Sequence, residues 1–294
     1  MEGKGPEYES VVMLGSTCGV FDLVAVTQAN YVCNLLGIDT ISAGVTIACA
    51  MELQEKGLLH EEGMNFGNAA ILKPLLFKMA KKEGIGAELA LGSARLAAKY
   101  GKPELSMAVK SLELPAYDPR GAMGHALGYA TSNRGGCHLT GYLAAMEIFA
   151  APKKIPRETT GGKADLLALK QNMKAVEDSL VICTFSGWAV GFDFQARFMT
   201  AMTGKDMNIA KLISIGERIY NLERLYNLRE GMTAENDTLP KRFLEESLPE
   251  GYTKNRTVPL KNMLQDYYAV RKWDKKGIPT PMKLKELGLQ GIEV

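Results

Sequence analysis

The chain has 294 residues, of which 46% are hydrophobic and 23% charged, enough apolar side chains for one large core or two smaller ones. Its 35 basic and 33 acidic residues nearly cancel to a net charge of +2, and no stretch concentrates Lys and Arg as a phosphate backbone would demand. Composition therefore predicts a folded, soluble protein and argues against nucleic acid as a partner.

Apolar residues recur at helical spacing almost throughout, and no run of alternating β-branched residues lies between turn signals. The predicted fold class is therefore all-α and multihelical. The predicted helices cover residues 20–36, 40–57, 66–83, 86–100, 121–132, 139–149, 162–181, 186–202, 208–228, 258–273 and 280–287. Residues rich in Pro, Gly, Thr and charge predict loops at 111–120, 150–162 and 230–258.

The loop that begins SLELPAYDPRG at residue 111 is where the chain is predicted to divide. We expect one helical domain over residues 1–112 and a longer helical domain over residues 113–294. Neither a GXGXXG nor a GXXXXGK[ST] phosphate loop occurs, so the usual dinucleotide and nucleoside-triphosphate sites are not indicated.

The first residues lack the apolar core of a signal peptide, and no run of about 18 apolar residues occurs anywhere. We expect a cytoplasmic protein without a membrane partner. The five cysteines form no CxxC pair, so neither a disulfide framework nor a self-contained zinc site is indicated. Any metal bound by one of these thiols needs ligands from elsewhere.

The predicted helix 208–228 has the clearest amphipathic pattern. Its apolar members lie on one stripe, whereas Glu217, Arg218 and Arg224 are expected to face away from the core. Such a pattern is typical of a helix that packs in a core and assigns it no chemistry.

Polar residues among glycines mark the stretch YDPRGAMGHALGYATSNRGGCH at 117–138, where small residues permit close backbone approach. Arg120 and Arg134 can each grip a phosphate or carboxylate in bidentate fashion, although Arg120 can equally pair with Asp118 or cap carbonyl groups. His138 can act as an acid–base group because its ordinary pKa lies near neutrality, or it can be structural.

Three further positions leave two readings open. Cys183 ends the stretch VEDSLVIC, and a free cysteine there is either a ligand or a small buried hydrophobe. Asp39 and Thr40 stand between two predicted helices, where either side chain can simply cap the second helix. Glu9 lies in a terminal segment that resembles a solvated tail. These residues alone do not determine a function.

Taken together, six segments resemble the tungsten-containing aldehyde:ferredoxin oxidoreductase family. They are GPEYES at 5–10, NLLGIDTISAG at 34–44, AYDPRGAMGHALGYATSNRGGCH at 116–138, EDSLVIC at 177–183, IGERIYNLERLYNLREG at 216–231 and MLQDYYAVRKWDKKGIPT at 263–280, in family order. The resemblance implies two helical domains. It also implies oxidation of an aldehyde to a carboxylic acid at a tungsten held by two pyranopterins, with electrons passing through a 4Fe-4S cluster to ferredoxin.

The resemblance also implies roles for individual residues. Glu9 resembles the family's glutamate beside the metal, a general base on water or on the hydrated aldehyde, and His138 is similar to a histidine that hydrogen-bonds an oxo ligand or the substrate oxygen. Cys183 resembles the fourth cluster ligand. The implied contacts to the tungstopterin, in which molybdenum is the alternative metal, are Asn34, Ile38, Asp39, Arg134, Thr140, Asp178, Ile182 and Thr184.

Three positions depart from the family pattern. Asn34 stands where the family has an aspartate, which removes a charge from one pterin contact, and Val181 stands where it has a glycine, which adds bulk to the other. Gln28 replaces the glutamate that binds a bridging metal between subunits. The resemblance therefore gives no support to a bridging metal here.

The family's three clustered cysteines and its β-rich N-terminal domain have no counterpart in this sequence. Cys18, Cys33 and Cys49 lack the compact spacing needed to replace them, so we expect core positions for all three. The implied partners are an N-terminal half of the same enzyme, ferredoxin and a small-molecule aldehyde, with a homo-oligomer left open. The chain alone is then expected to be inactive and to expose a cofactor-facing apolar surface.

Two alternatives remain. The first is a related tungsten reductase subunit that acts on aromatic thioesters, in which the same scaffold serves a larger ligand. The second is a helical interaction module that binds a partner without catalysis; Asn34 and Val181 favour it slightly, whereas Glu9, His138 and Cys183 argue against it.

Overall fold

The computed structural model describes residues 3–292, and within this range it contains fifteen α-helices and one short β-hairpin. The helices are α1 (Tyr8–Leu14), α2 (Leu23–Leu36), α3 (Thr40–Glu55), α4 (Leu72–Lys81), α5 (Ile85–Leu89), α6 (Ser93–Lys99), α7 (Met123–Thr131), α8 (Ala144–Glu147), α9 (Lys163–Ser179), α10 (Thr184–Ala189), α11 (Phe192–Thr203), α12 (Ile209–Arg229), α13 (Lys241–Glu245), α14 (Leu260–Arg271) and α15 (Pro281–Glu286). The prediction of an all-α fold is confirmed.

The chain forms two compact units, and neither is continuous in sequence. Unit 1 comprises the chain up to Asp118 together with Arg134–Cys137 and Leu239–Ser247. Unit 2 comprises Pro119–Asn133, His138–Thr238 and the chain from Leu248 onward. The sequence-based boundary after residue 112 lies six residues before the end of the first segment, and it did not include the two later returns to unit 1.

Unit 1 is built around α3, which is apolar on all sides and buried over most of its length. Asp39 caps its first turn, and Asp22 caps α2 in the same way. Gly44 allows α1 to cross α3 closely, since a Cβ atom there would lie 2.3 Å from the carbonyl oxygen of Met13. The expected solvated tail is therefore a packed helix from Tyr8 onward.

A hairpin in unit 1 pairs β1 (Ala108–Val109) with β2 (Leu112–Glu113). Its turn residues, Lys110 and Ser111, both have positive φ, as a two-residue hairpin turn requires. Lys and Ser are not the Asn and Gly residues that are typical of such a turn, which explains why no strand was predicted.

Unit 2 is organised around α9, against which α7, α12 and α14 pack. Gly216 of α12 lies against the α9 backbone, since a Cβ atom there would lie 1.9 Å from the carbonyl oxygen of Asn172. The buried Glu147 carboxylate accepts hydrogen bonds from the amides of Gly124 and His125, both at 2.9 Å, and pairs with Lys163. It thereby holds the first turn of α7, where a negative charge is favourable.

The predicted outward orientation of Arg224 was wrong. Its guanidinium is fully buried, 2.8 Å from the carboxylate of Asp237, and donates to the carbonyl oxygen of Gly277 at 3.0 Å. It also lies 4.9 Å from the centre of the Trp273 ring. A buried cation is tolerated when it is paired and hydrogen-bonded, and helical periodicity cannot reveal a partner thirteen residues away in a loop.

Within residues 3–292 no single helix is both long and apolar enough to cross a bilayer. Among the helices described, the sharply bent pair formed by Tyr8–Cys18 and Leu23–Leu36 is the one that meets the length and composition criteria together.

Candidate functional site

Glu9 lies in the first turn of α1 in unit 1, and its carboxylate is partly buried. Its Oε2 atom accepts a hydrogen bond from the amide of Ala116 at 2.8 Å, and the Tyr117 hydroxyl also hydrogen-bonds to it. Burial raises the pKa of Glu9, and the two hydrogen bonds offset part of that rise. A carboxylate held in place with a raised pKa is suited to accept a proton.

Asp39 begins α3 and caps it, with Oδ1 accepting a hydrogen bond from the amide of Ser42 at 2.7 Å. The capping reading is therefore correct, and Asp39 nevertheless remains exposed to a ligand. The hydroxyls of Ser10 and Thr40 lie 2.8 Å apart, so unit 1 brings the segments that carry Glu9 and Asp39 next to each other.

The other unit 1 candidates lie at or near the surface. Asn34 is exposed in the last turn of α2, and Ile38 packs partly against the core just after that helix. Arg134 is exposed, with its Nη1 atom 3.9 Å from the sulfur of Cys137. Each of these side chains leaves atoms accessible to a bound molecule.

His138 in unit 2 is partly buried and packs edge-to-face on Tyr142, with the ring centres 5.8 Å apart. His125 packs on the same tyrosine ring at 6.1 Å. Burial, assisted by the nearby His138, lowers the pKa of His125 from 6.5 to about 3. His125 is therefore neutral near pH 7, and only His138 of this pair is accessible.

A pocket of about 310 Å³ in unit 2 is lined by one of the candidates and by a neighbour of two others. Its lining includes Thr184 and also Leu139, which stands between His138 and Thr140 in the sequence. The remaining lining residues are Gly141, Tyr142, Ala145, Met146, Ala151, Pro152, Lys170, Met173, Lys174, Glu177 and Gly187. Unit 2 thus brings Leu139 and the start of α10 to one cavity with both apolar and charged walls.

Cys183 lies on the connection between α9 and α10, and its thiol is exposed. The turn that ends α9 is a Schellman motif, in which the amide of Val181 donates to the carbonyl of Asp178 and that of Ile182 to Glu177. Val181 therefore has the left-handed φ of +58° that such a turn needs, and its side chain is 91% exposed. The turn explains physically why a glycine suits this position.

Cys183 differs from the other four cysteines, which are all buried. Burial raises the pKa of the Cys18, Cys33 and Cys49 thiols to about 12, as expected for core residues. Within the described part of the chain, no group of three or more His, Cys, Asp or Glu side chains could hold a metal ion.

Sequence reasoning missed two residues beside these candidates. Tyr117, which bonds Glu9, gave no local signal because the two residues meet only in the folded chain. Lys174 forms an ion pair with Asp178 at 2.7 Å and donates to the Thr184 hydroxyl at 2.9 Å. Its spacing of four residues from Asp178 on one helix was the available signal.

The chain is similar to the proteins of one known family. The family model described as aldehyde ferredoxin oxidoreductase, domains 2 and 3, matches residues 1–289. A tungsten-containing aldehyde ferredoxin oxidoreductase of Pyrococcus furiosus is 49% identical over 98% of this chain and 49% of its own length. The Thermococcus kodakarensis protein of that description is 45% identical over 97% of this chain and 49% of its own length. The chain thus spans about half the length of these relatives.

A solved structure described as the active site complex BamBC of benzoyl coenzyme A reductase, in complex with 1,5-dienoyl-CoA, has a similar fold. The TM-score is 0.75 with 20% sequence identity, over 99% of this chain and 50% of the other. At this identity the likeness concerns the fold alone.

Proposed function

This chain belongs to the aldehyde ferredoxin oxidoreductase family, and on that premise we propose that it is the C-terminal part of a tungsten enzyme that oxidises aldehydes to carboxylic acids. Electrons would leave through a 4Fe-4S cluster to ferredoxin. An N-terminal half, which the length of the relatives implies, completes the enzyme. The observation that carries the proposal is the exposed thiol of Cys183, in a chain whose other cysteines are all buried.

We assign the cluster-binding thiolate to Cys183 and the pterin contacts to the loops around it and before α3. On unit 1, Asn34, Asp39 and Arg134 present exposed neutral, anionic and cationic groups, and on unit 2 Asp178 presents an exposed carboxylate; side chains of these kinds can hydrogen-bond a pterin. The further assigned contacts are Ile38, Thr140, Ile182 and Thr184. Redox chemistry would be supplied by the bound tungstopterin.

The protein's own part in the reaction is proton transfer and orientation. Glu9 would accept a proton from water or from the hydrated aldehyde, and the hydrogen bonds from Ala116 and Tyr117 hold its carboxylate in one position. His138 would donate a hydrogen bond to the substrate oxygen, and its contact with Tyr142 fixes its ring. Burial raises the pKa of Glu9, which makes its carboxylate a stronger base than an exposed one.

The test is elemental analysis for tungsten, molybdenum and iron on protein purified without oxygen. The chain is prepared alone and after co-expression with an N-terminal half supplied from a relative. We expect metal only in the co-expressed complex, with about four iron atoms per chain. Cys183→Ser should lower the iron content, whereas Cys137→Ser, at a buried cysteine, should not.

Metal in neither preparation would overturn the proposal in favour of a non-catalytic helical module. Metal in the complex justifies an aldehyde oxidation assay with ferredoxin as acceptor, and a complex that reduces aromatic thioesters instead would replace the proposed substrate.

A further inference from the structure

The end of α9 and the start of α10 are joined by one lysine. The Nζ atom of Lys174 lies 2.7 Å from Oδ1 of Asp178 and 2.9 Å from the hydroxyl of Thr184. The Lys174 side chain is only 12% exposed, whereas the Asp178 side chain is 64% exposed, so solvent competes for the pair mainly at the carboxylate. Asp178 and Thr184 stand on either side of the segment that carries Cys183, and the lysine therefore bridges both ends of it.

The bridged segment is otherwise held by the two Schellman hydrogen bonds at its start and by Leu180, which packs partly against the core of unit 2. Val181 points into solvent in a strained left-handed conformation, and Cys183 is exposed. Helix α10 has six residues, so it is too short to be stable without contacts to its neighbours. A turn with these properties opens readily unless side chains from a longer helix hold it.

A second contact indicates that α10 is seated on α9. A Cβ atom at Gly187 would lie 2.9 Å from Oε1 of Glu177, so this glycine lets α10 approach the α9 side chain. The amide of Gly187 donates to the carbonyl of Cys183 at 3.0 Å, which ties the seated turn to the cysteine backbone. Lys174 and Glu177 thus act on opposite ends of the first turn of α10.

We propose that Lys174 is a positioning residue that holds the Cys183 thiol in the geometry in which it meets an iron–sulfur cluster. It reaches the cysteine through Asp178 and Thr184 and does not touch the thiol. That the positioned thiol binds a cluster rests on the proposed function. The order of the segment around Cys183 does not, because it can be measured on this chain alone.

Lys170 provides a matched control. It lies one turn earlier on α9, lines the same pocket and carries the same charge. Its charge acts on the Glu177 carboxylate as that of Lys174 also does, whereas the contacts to Asp178 and Thr184 belong to Lys174. Replacing Lys170 therefore removes a cation from the pocket without removing the bridge.

The experiment compares Lys174→Met, Lys170→Met and wild type by amide hydrogen exchange and by the rate at which iodoacetamide alkylates the native protein. Alkylation reports Cys183 because the other four thiols are buried. We expect Lys174→Met to speed exchange of residues 180–187 about tenfold and to change the alkylation rate, with the rest of unit 2 unaltered. Lys170→Met should match wild type, and Lys174→Arg should recover part of the protection.

Wild-type exchange of residues 180–187 in Lys174→Met, or faster exchange throughout unit 2, would overturn the positioning role. Iron content of the co-expressed complexes then separates the two proposals. If the wild-type complex binds iron and the Lys174→Met complex binds less, the proposal that Lys174 positions Cys183 for a cluster is supported. If wild type binds none, the proposed function fails, while the exchange result still decides whether Lys174 positions the segment.

Discussion

His125 contributes to the pH dependence of the stability of this protein. It is fully buried in α7, and its Nδ1 atom accepts a hydrogen bond from the amide of Ala144 at 3.4 Å. Burial lowers its pKa from 6.5 to about 3, so between these values the unfolded chain binds a proton that the native chain does not. Stability from this group is therefore present above pH 6.5 and is lost as pH falls toward 3.

We expect the free energy of unfolding of His125→Asn to fall less between pH 7 and pH 4.5 than that of wild type, by about 2 kcal/mol. Urea titrations at the two pH values measure the difference. Comparing variants cancels the carboxylates, which titrate in all of them. His60→Asn, at an exposed histidine, is the control and should behave as wild type. Equal losses in His125→Asn and wild type would contradict the assignment.

For single residues, the sequence predicted roles within a local segment, such as helix capping, better than hydrogen bonds to residues far away in the chain. The capping role of Asp39 followed from its place before a helix, and the structure shows it. The hydrogen bonds of Glu9 with Ala116 and Tyr117 join residues more than a hundred positions apart, and no local pattern carries such a contact. The roles assigned to Glu9, His138 and Cys183 stay predictions that came from the family resemblance.

At the scale of elements, the end of α9 contains strain that a glycine would relieve. A β-branched residue in the left-handed region destabilises the folded state by about 1–2 kcal/mol, and glycine removes this strain. The greater freedom of glycine in the unfolded chain offsets about 0.5–1 kcal/mol of the gain. Because Val181 is almost fully exposed, its replacement loses little packing. We expect Val181→Gly to raise the free energy of unfolding by about 0.5–1 kcal/mol, measured by urea denaturation.

Val190, which follows α10, is the control for this change. Its φ of −101° is ordinary for valine, so Val190→Gly should destabilise the protein because glycine there gains only unfolded-state freedom. Destabilisation by Val181→Gly equal to that of Val190→Gly would show that the turn is not strained.

Long helices were predictable because their apolar periodicity agrees with their burial. The predicted helices 40–57 and 208–228 correspond closely to α3 and α12. The predicted helix 86–100 is instead broken into α5 and α6 at Gly92, whose φ of +83° no helix accommodates. Short elements depend on tertiary contacts, which periodicity does not contain.

At the scale of the whole molecule, the two units are interleaved in sequence, and composition could not show this. Arg134–Cys137 joins unit 1 because the amide of Gly136 donates to the carbonyl of Val109 at 3.1 Å. Leu239–Ser247 joins it through Arg242, whose guanidinium lies 2.6 Å from the carboxylate of Glu52. A single cut in the loop at 111–120 is the best division that a linear pattern allows.

Helix α11 presents an exposed apolar stripe. Phe194, Phe198 and Met202 recur every four residues and are 47%, 54% and 80% exposed. Beside them, a mostly apolar pocket of about 340 Å³ is lined in part by Leu180 and Ile182. Contiguous exposed aromatic and methionine side chains mark contact surfaces, and this chain spans about half the length of its relatives. We therefore predict that the N-terminal half covers this stripe.

Phe198→Ser is expected to weaken association with a tagged N-terminal half at least about tenfold, since truncating a central aromatic anchor commonly costs about 2 kcal/mol or more. The variant should remain folded, because Phe198 is already half exposed in the isolated chain. Leu222→Ser, at an exposed apolar residue of α12, is the matched control and should associate as wild type does. Quantitative pull-down with both variants measures the difference.

Undiminished association of Phe198→Ser would show that the N-terminal half does not cover this stripe. Concentration-dependent self-association that is lost only in Phe198→Ser would instead assign the stripe to contact with a second copy of the chain.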